Sequence, residues 1–277
     1  SFAQFDEKAI APGEILPQTL VQPIQHFEGG IVAEVLVEEG QFVTAGDAVM
    51  RMDDTRARNE RDSTATRFAS LSLQEERFKA YLDDRAPDFS AFAEDYPSLA
   101  SDAQRAYNSS IRERDGRLST LDAQISARRV ELSGLADQET AIRSTAASLK
   151  EEAKAKLVEN GTLPRLPFMA LQRELTEKEG DVAQIKTDIG RAQADLAEAE
   201  SRKRELEAEM RKNVLDQLAN ISTEAAIKAD QLSSLNDQLE RTTLTAPISG
   251  SIKGLTITKP GVVVPSGAIV MEVVPRN

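Results

Sequence analysis

The chain has 277 residues and a mass of 30.3 kDa, enough for one or two ordinary domains. Thirty-four Lys and Arg face 46 Asp and Glu, a formal net charge of -12, which argues against a surface built to bind nucleic-acid phosphates. With no cysteine and a single histidine, His26, the chain has almost nothing from which to build a thiolate site, an imidazole metal site or a histidine-based triad.

Within residues 1–20, Ala9–Ala11 and Glu14–Leu16 flank Pro12-Gly13 and read as a short strand with a turn. The run Val32-Ala33-Glu34-Val35-Leu36-Val37 is rich in β-branched residues and reads as a strand. A helix is expected over about 54–83, with Phe68, Leu71, Phe78 and Leu82 as its apolar stripe. The stretch 83–98 interrupts it, with Pro87 and Pro97 as breakers; the sequence leaves open whether this linker is ordered or mobile.

The middle of the chain permits long helices. Residues 98–163 and 168–246 contain no proline, and nine of the fourteen glycines lie outside 54–246. Leu118, Leu121, Ile125, Leu132, Leu135, Ile142, Ala146, Leu149 and Ala153 recur at intervals of three, four or seven, the seam of a coiled coil. Leu175, Val182, Ile189 and Leu196 resume it, and Leu218, Ile221, Ala225, Leu232, Leu235 and Leu239 continue it. Two helices, about 99–159 and 168–242, joined by so short a break must run antiparallel. Gly161, Pro164 and Pro167 read as the punctuation of that connection. No run reaches 18 apolar residues, so no segment reads as a membrane span.

The two ends repeat one unit. GIVAEVLVEEGQFVTAGDAVMRMD (30–53) aligns with GSIKGLTITKPGVVVPSGAIVMEVVP (250–275). Gly30, Val32, Val35 and Val37 match Gly250, Ile252, Leu255 and Ile257; after a one-residue slip, Gly40, Val43 and Gly46 match Gly261, Val264 and Gly267. In each G-x-x-V-x-x-G the glycines suit turns and the valine points to a core. Neither half has enough apolar area to fold alone, whereas the two together can close a small β-sandwich. The expected class is α+β. A long antiparallel α-helical coiled-coil hairpin, with a shorter third helix, is inserted between the halves of a lipoyl/biotinyl-like β-sandwich. Its sections are 1–20, 21–53, 54–98, 99–243 and 244–277.

A lipoyl-like domain split in this way resembles the periplasmic adaptor, or membrane fusion, proteins. The segment VQPIQHFEGGIVAEVLVEEGQFVTAGDAVMRMDDTRA (21–57) is similar to the haemolysin-secretion HlyD family of type I secretion adaptors. Its Ile24–Val32 run resembles the branch that exports proteases and lipases, and LTAPISGSI (244–252) resembles the family's return into the lipoyl domain.

The resemblance implies a non-enzymatic role. The partners would be an inner-membrane ABC transporter, a TolC-like outer-membrane channel and a secreted polypeptide such as a protease, lipase or RTX-type cargo. Six copies would surround a conduit. It also implies a periplasmic location in a Gram-negative bacterium, with an N-terminal transmembrane anchor missing from this chain, and makes 1–20 a remnant of a β-barrel-side strand. The alternative is the adaptor of a tripartite drug-efflux pump.

The family's hairpin tip docks on the channel, which implicates Leu157, Gly161, Thr162, Leu163, Pro164, Arg165 and Leu166. Of the family's tip pattern Leu157 matches, while the Arg and Ser positions fall on Ala153 and Pro164. Gly29, Gly30, Gly40, Val43, Gly46, Gly250, Gly261, Val264 and Gly267 are the expected structural positions of the lipoyl-like halves. No cofactor is expected. Where biotin carriers present Met-Lys-Met this chain has Met50-Arg51-Met52, and a guanidinium is not an acylation target. His26 reads as a packed residue rather than a ligand.

Overall fold

A computed structural model describes residues 21–160 and 165–275. The strand expected within 1–20 lies outside the described residues. The chain divides into two compact units, Ser1–Phe68 with Ala225–Asn277, and Ala69–Glu224.

Among the described residues, the first unit contains a sandwich of two four-stranded sheets. Its strands are β1 (Gln22–His26), β2 (Gly30–Val35), β3 (Phe42–Val43), β4 (Ala48–Met52), β5 (Thr243–Thr245), β6 (Gly250–Lys253), β7 (Val263–Val264) and β8 (Ala268–Val274). One sheet has the order β1-β8-β6-β3 and the other β5-β4-β2-β7, all pairings antiparallel. The two orders interconvert when each strand of one half-repeat is exchanged for its counterpart in the other. Each sheet therefore mixes strands from both ends of the chain. Neither half can satisfy its own strand edges, so the halves fold only together.

The core repeats in the same way. Val32 and Ile252, Val43 and Val264, Val49 and Val270, Met50 and Met271, and Met52 and Val273 are all buried. Burying a pair such as Met50 and Met271 contributes about 1.5–3 kcal/mol per side chain. The repeat also extends further upstream than the sequence alignment reaches. Ile24 and Leu244 are both 5% exposed, on β1 and β5, two short strands that the pattern of QPIQH and TLT does not announce. Strand β6 stops at Lys253, because Gly254 turns the chain at φ +64°.

The second unit is helical. Among the described residues it holds the second half of α1 (Thr55–Leu82), a single-turn α2 (Ser90–Ala93), all of α3 (Pro97–Asn160) and most of α4 (Arg165–Arg241), while Thr55–Phe68 and Ala225–Arg241 belong to the first unit. At 1.5 Å per residue, the 64 residues of α3 span about 95 Å and the 77 of α4 about 115 Å. Arg129 pairs with Glu200 at 2.8 Å and Asp122 with Lys203 at 2.7 Å. Residue numbers rise on α3 as they fall on α4, so the helices are antiparallel. Ile125, Ile185 and Ala192 are buried along this seam. Leu132, Leu135, Leu175 and Leu196 are half-buried, as expected where only two helices meet.

Two helix starts differ from the sequence expectation. α3 begins at Pro97 itself and α4 begins at Arg165, ahead of Pro167. Both prolines lie in a first turn, where the missing N–H removes no helical bond and the fixed φ suits the helix. They start these helices rather than break them.

The 83–98 segment is tied down by side chains. Arg85 forms a forked pair with Glu76, whose carboxylate also accepts the Asp88 amide at 2.8 Å. The Tyr107 hydroxyl donates to the Arg85 carbonyl at 2.7 Å, and Arg211 donates to the Leu82 carbonyl at 3.0 Å. Asp84, at φ +50°, pairs with Arg114, whose guanidinium lies 5.3 Å from the centre of the Tyr81 ring. Together these contacts join α1, α3 and α4 in a three-helix corner.

Candidate functional site

The half-repeat glycines do different physical jobs. Gly40 and Gly261 have φ of +81° and +87°, and Gly46 and Gly267 of +94° and +73°. Open space surrounds all four, so backbone conformation alone calls for glycine there. Their amides act in matched pairs. Gly40 donates to the Ile252 carbonyl and Gly261 to that of Val32, at 2.9 and 2.8 Å. Gly46 donates to Ala246 and Gly267 to His26, both at 2.8 Å. Val43 and Val264, 3% and 1% exposed, sit between these turns and point inward.

Gly29 carries two constraints at once. Its φ is +73°, and a Cβ would sit 2.7 Å from both the Ser266 nitrogen and the Val264 carbonyl oxygen. Gly30, at φ +143°, starts β2 opposite Val264. Gly250 has no unusual φ, but a Cβ there would overlap the Val274 carbonyl on the neighbouring strand. Close approach of two backbones accounts for this glycine.

Beside Gly29 lies a polar cavity of about 360 Å³, lined in part by His26, Glu28, Arg56 and Gln238. His26 is 5% exposed, with its Nε2 3.8 Å from a Glu28 carboxylate oxygen. Glu28 accepts from Arg241 Nε at 2.7 Å. Burial pushes the Glu28 pKa up, but the Arg241 hydrogen bond, its own backbone amide and the nearby positive charge outweigh this and hold it below its ordinary value. This group fastens the start of β2 to the end of α4.

Arg51 lies within β4 between buried Met50 and Met52, and it pairs with Glu34 at 3.1 Å. Among the described residues, no three or more metal-ligating side chains cluster, and no helix is long and apolar enough to cross a membrane.

At the hairpin tip, Gly161, Thr162, Leu163 and Pro164 lie outside the described residues, as do the side chains of Leu157 and Arg165. Leu166 is described and is 83% exposed. Two neighbours that sequence reasoning passed over share this end: Phe168 at 38% and Met169 at 54% exposure. Phe168 continues the seam through Leu171 and Leu175, whereas Leu166 and Met169, three apart, form a separate exposed stripe. The cue was three large apolar residues within LPFM, masked by the two prolines.

A lipoyl-like sandwich whose halves are separated in sequence by an antiparallel helical hairpin defines the class: a membrane fusion protein. A family profile described as "AprE, long alpha-helical hairpin" matches residues 57–238, and the chain belongs to this family. It is 30% identical over 294 residues to the alkaline protease secretion protein AprE of Pseudomonas aeruginosa, covering 100% of this chain and 66% of that protein. It is 28% identical over 280 residues to the type I secretion system membrane fusion protein PrsE of Rhizobium meliloti, covering 96% and 63%. The chain thus spans just under two thirds of the length of these relatives.

The crystal structure of the soluble domain of LipC, a membrane fusion protein of a type I secretion system, superposes with a TM-score of 0.81 at 25% identity. That match covers 92% of this chain and 99% of LipC. The periplasmic adaptor protein EmrA shares the fold, with a TM-score of 0.52 at 16% identity, covering 92% of this chain and 71% of EmrA.

Proposed function

We propose that this chain is the central section of a type I secretion adaptor, linking an inner-membrane ABC transporter to a TolC-like outer-membrane channel. The observation that carries this reading is the long hairpin returned by its own antiparallel pairing to one two-halved sandwich, in a chain related to AprE and PrsE. A helix of 64 residues spans about 95 Å, a length suited to reaching between membrane-bound partners. In this reading six copies surround a conduit and the tip around Leu157–Leu166 meets the channel. The full-length protein is held at the inner membrane of a Gram-negative cell by an N-terminal helix. The cargo is a protease, a lipase or an RTX-type polypeptide. The chain acts by positioning partners and not by catalysis.

The test is a mild-detergent pull-down of the full-length protein from its source cells, with mass spectrometry of what comes with it. An ABC ATPase together with an outer-membrane channel is the expected result. Recovery of a proton-driven exporter instead would move the function to drug efflux, and recovery of neither would overturn the adaptor reading.

A further inference from the structure

Arg77, on α1, is a cation whose nearest acidic neighbours in sequence are already engaged. Glu75 pairs with Lys79 at 2.7 Å and accepts from Ser222 at 3.1 Å. Glu76 holds Arg85 and the Asp88 amide. Among the described residues Arg77 has no ion pair, and its Nε is buried without a hydrogen-bond partner. Its Cζ lies 4.7 Å from the centre of the Phe78 ring. Burial draws its pKa below the ordinary guanidinium value. A partly buried charge without a partner is costly, and an anion would relieve that cost.

Arg77 also lines an open cavity of about 290 Å³ between α1, α3 and α4. Phe78, Tyr81 and Val214 supply apolar wall, and Asn213 adds a side-chain amide. Glu113 lines the same space and engages Arg117 at 2.8 Å. Arg117 lines it too, so this pair is neutral as a whole and Arg77 leaves the lining one net positive charge, which suits a monoanion better than a phosphate. One free guanidinium fork, an amide donor and an apolar wall together match a planar monoanion on an apolar body.

We propose that this cavity binds an organic carboxylate, with the carboxylate oxygens on Arg77 and the apolar body against Phe78, Tyr81 and Val214. This site does not depend on the secretion reading.

The probe is 4-fluorobenzoate, titrated against the 277-residue chain and followed by ¹⁹F NMR. A saturable shift is expected. It should weaken at least tenfold in Arg77→Met and stay unchanged in Arg143→Met, which removes an exposed guanidinium elsewhere on α3. The neutral 4-fluorobenzamide should not bind. Circular dichroism checks that Arg77→Met keeps its helix content; should it fall, Arg77→Gln serves in its place with the same expected loss. A peptide with blocked ends and an internal Phe-Glu forms a second arm. Competition by that peptide identifies a polypeptide side chain as the natural source, and its failure to compete identifies a free carboxylate. The absence of saturation, equal binding of the amide, or undiminished binding by a folded Arg77 variant overturns the proposal.

Discussion

His26 and Ala246 hold the same place in the two halves of the sandwich. The carbonyl of His26 accepts the Gly267 amide and that of Ala246 the Gly46 amide, each at 2.8 Å, and both side chains are buried. One position holds an imidazole where its counterpart holds a methyl group, so the two halves share a backbone but not a cavity. Enlarging the smaller site should therefore strain it. Ala246→Leu is expected to destabilise the sandwich by about 1–3 kcal/mol through overpacking. Urea denaturation read by circular dichroism checks this, and an unchanged midpoint would show that the site has room.

Gly29 should tolerate no side chain. Gly29→Ala places a Cβ 2.7 Å from two backbone atoms at a φ of +73°. Strain at such a conformation costs about 1–3 kcal/mol before the collision is added. Differential scanning calorimetry should show a lowered transition. A variant as stable as the parent would contradict the geometry.

The helix glycines should behave in the opposite way. Gly134 and Gly180 lie inside α3 and α4 with no atom near an added Cβ. Each change to Ala should raise stability by about 0.5–1 kcal/mol, because alanine loses less backbone freedom on folding. A fall in the thermal midpoint of either variant would mean that the glycine serves a contact.

The three-helix corner should weaken in acid. The Arg85 hydrogen bond to Glu76 lowers its pKa, burial opposes this, and the Asp88 amide and the Arg85 charge add to the lowering. The folded-state value is thus below the ordinary 4.5. The linked stability is fully present above 4.5 and is lost as pH falls through the lower folded value. Hydrogen exchange across 83–98 should accelerate in that window for the parent protein. In Glu76→Gln it should be faster throughout and lose this pH step; an identical pH profile in both would show that Glu76 does not fasten the linker.

Much of the architecture is legible in the sequence because it rests on periodic or repeated residues. The matched Val43 and Val264 between paired glycines announce the sandwich, and the Leu/Ile spacing announces the hairpin. What is not legible has no local signature. Arg85 finds Glu76, Tyr107 and Arg114 fasten the turn after α1, and Arg211 caps the Leu82 carbonyl, none of them at a spacing that a helix or turn announces. The strands β1 and β5 are short, and their edges are specified by partners more than 190 positions away, such as His26 against Ala268 and Ala48 against Thr245. At the tip, Pro167 hid the start of α4 and with it the exposed Met169.

The adaptor account is tested most directly at Leu166, which is 83% exposed next to the hairpin connection. A photo-crosslinking amino acid at position 166 of the full-length protein, irradiated in secreting cells, should give an adduct with an outer-membrane channel. The same probe at Val130, also exposed but on the shaft of α3, should not. Adducts confined to inner-membrane proteins, or the same channel adduct from both positions, would contradict docking at the tip.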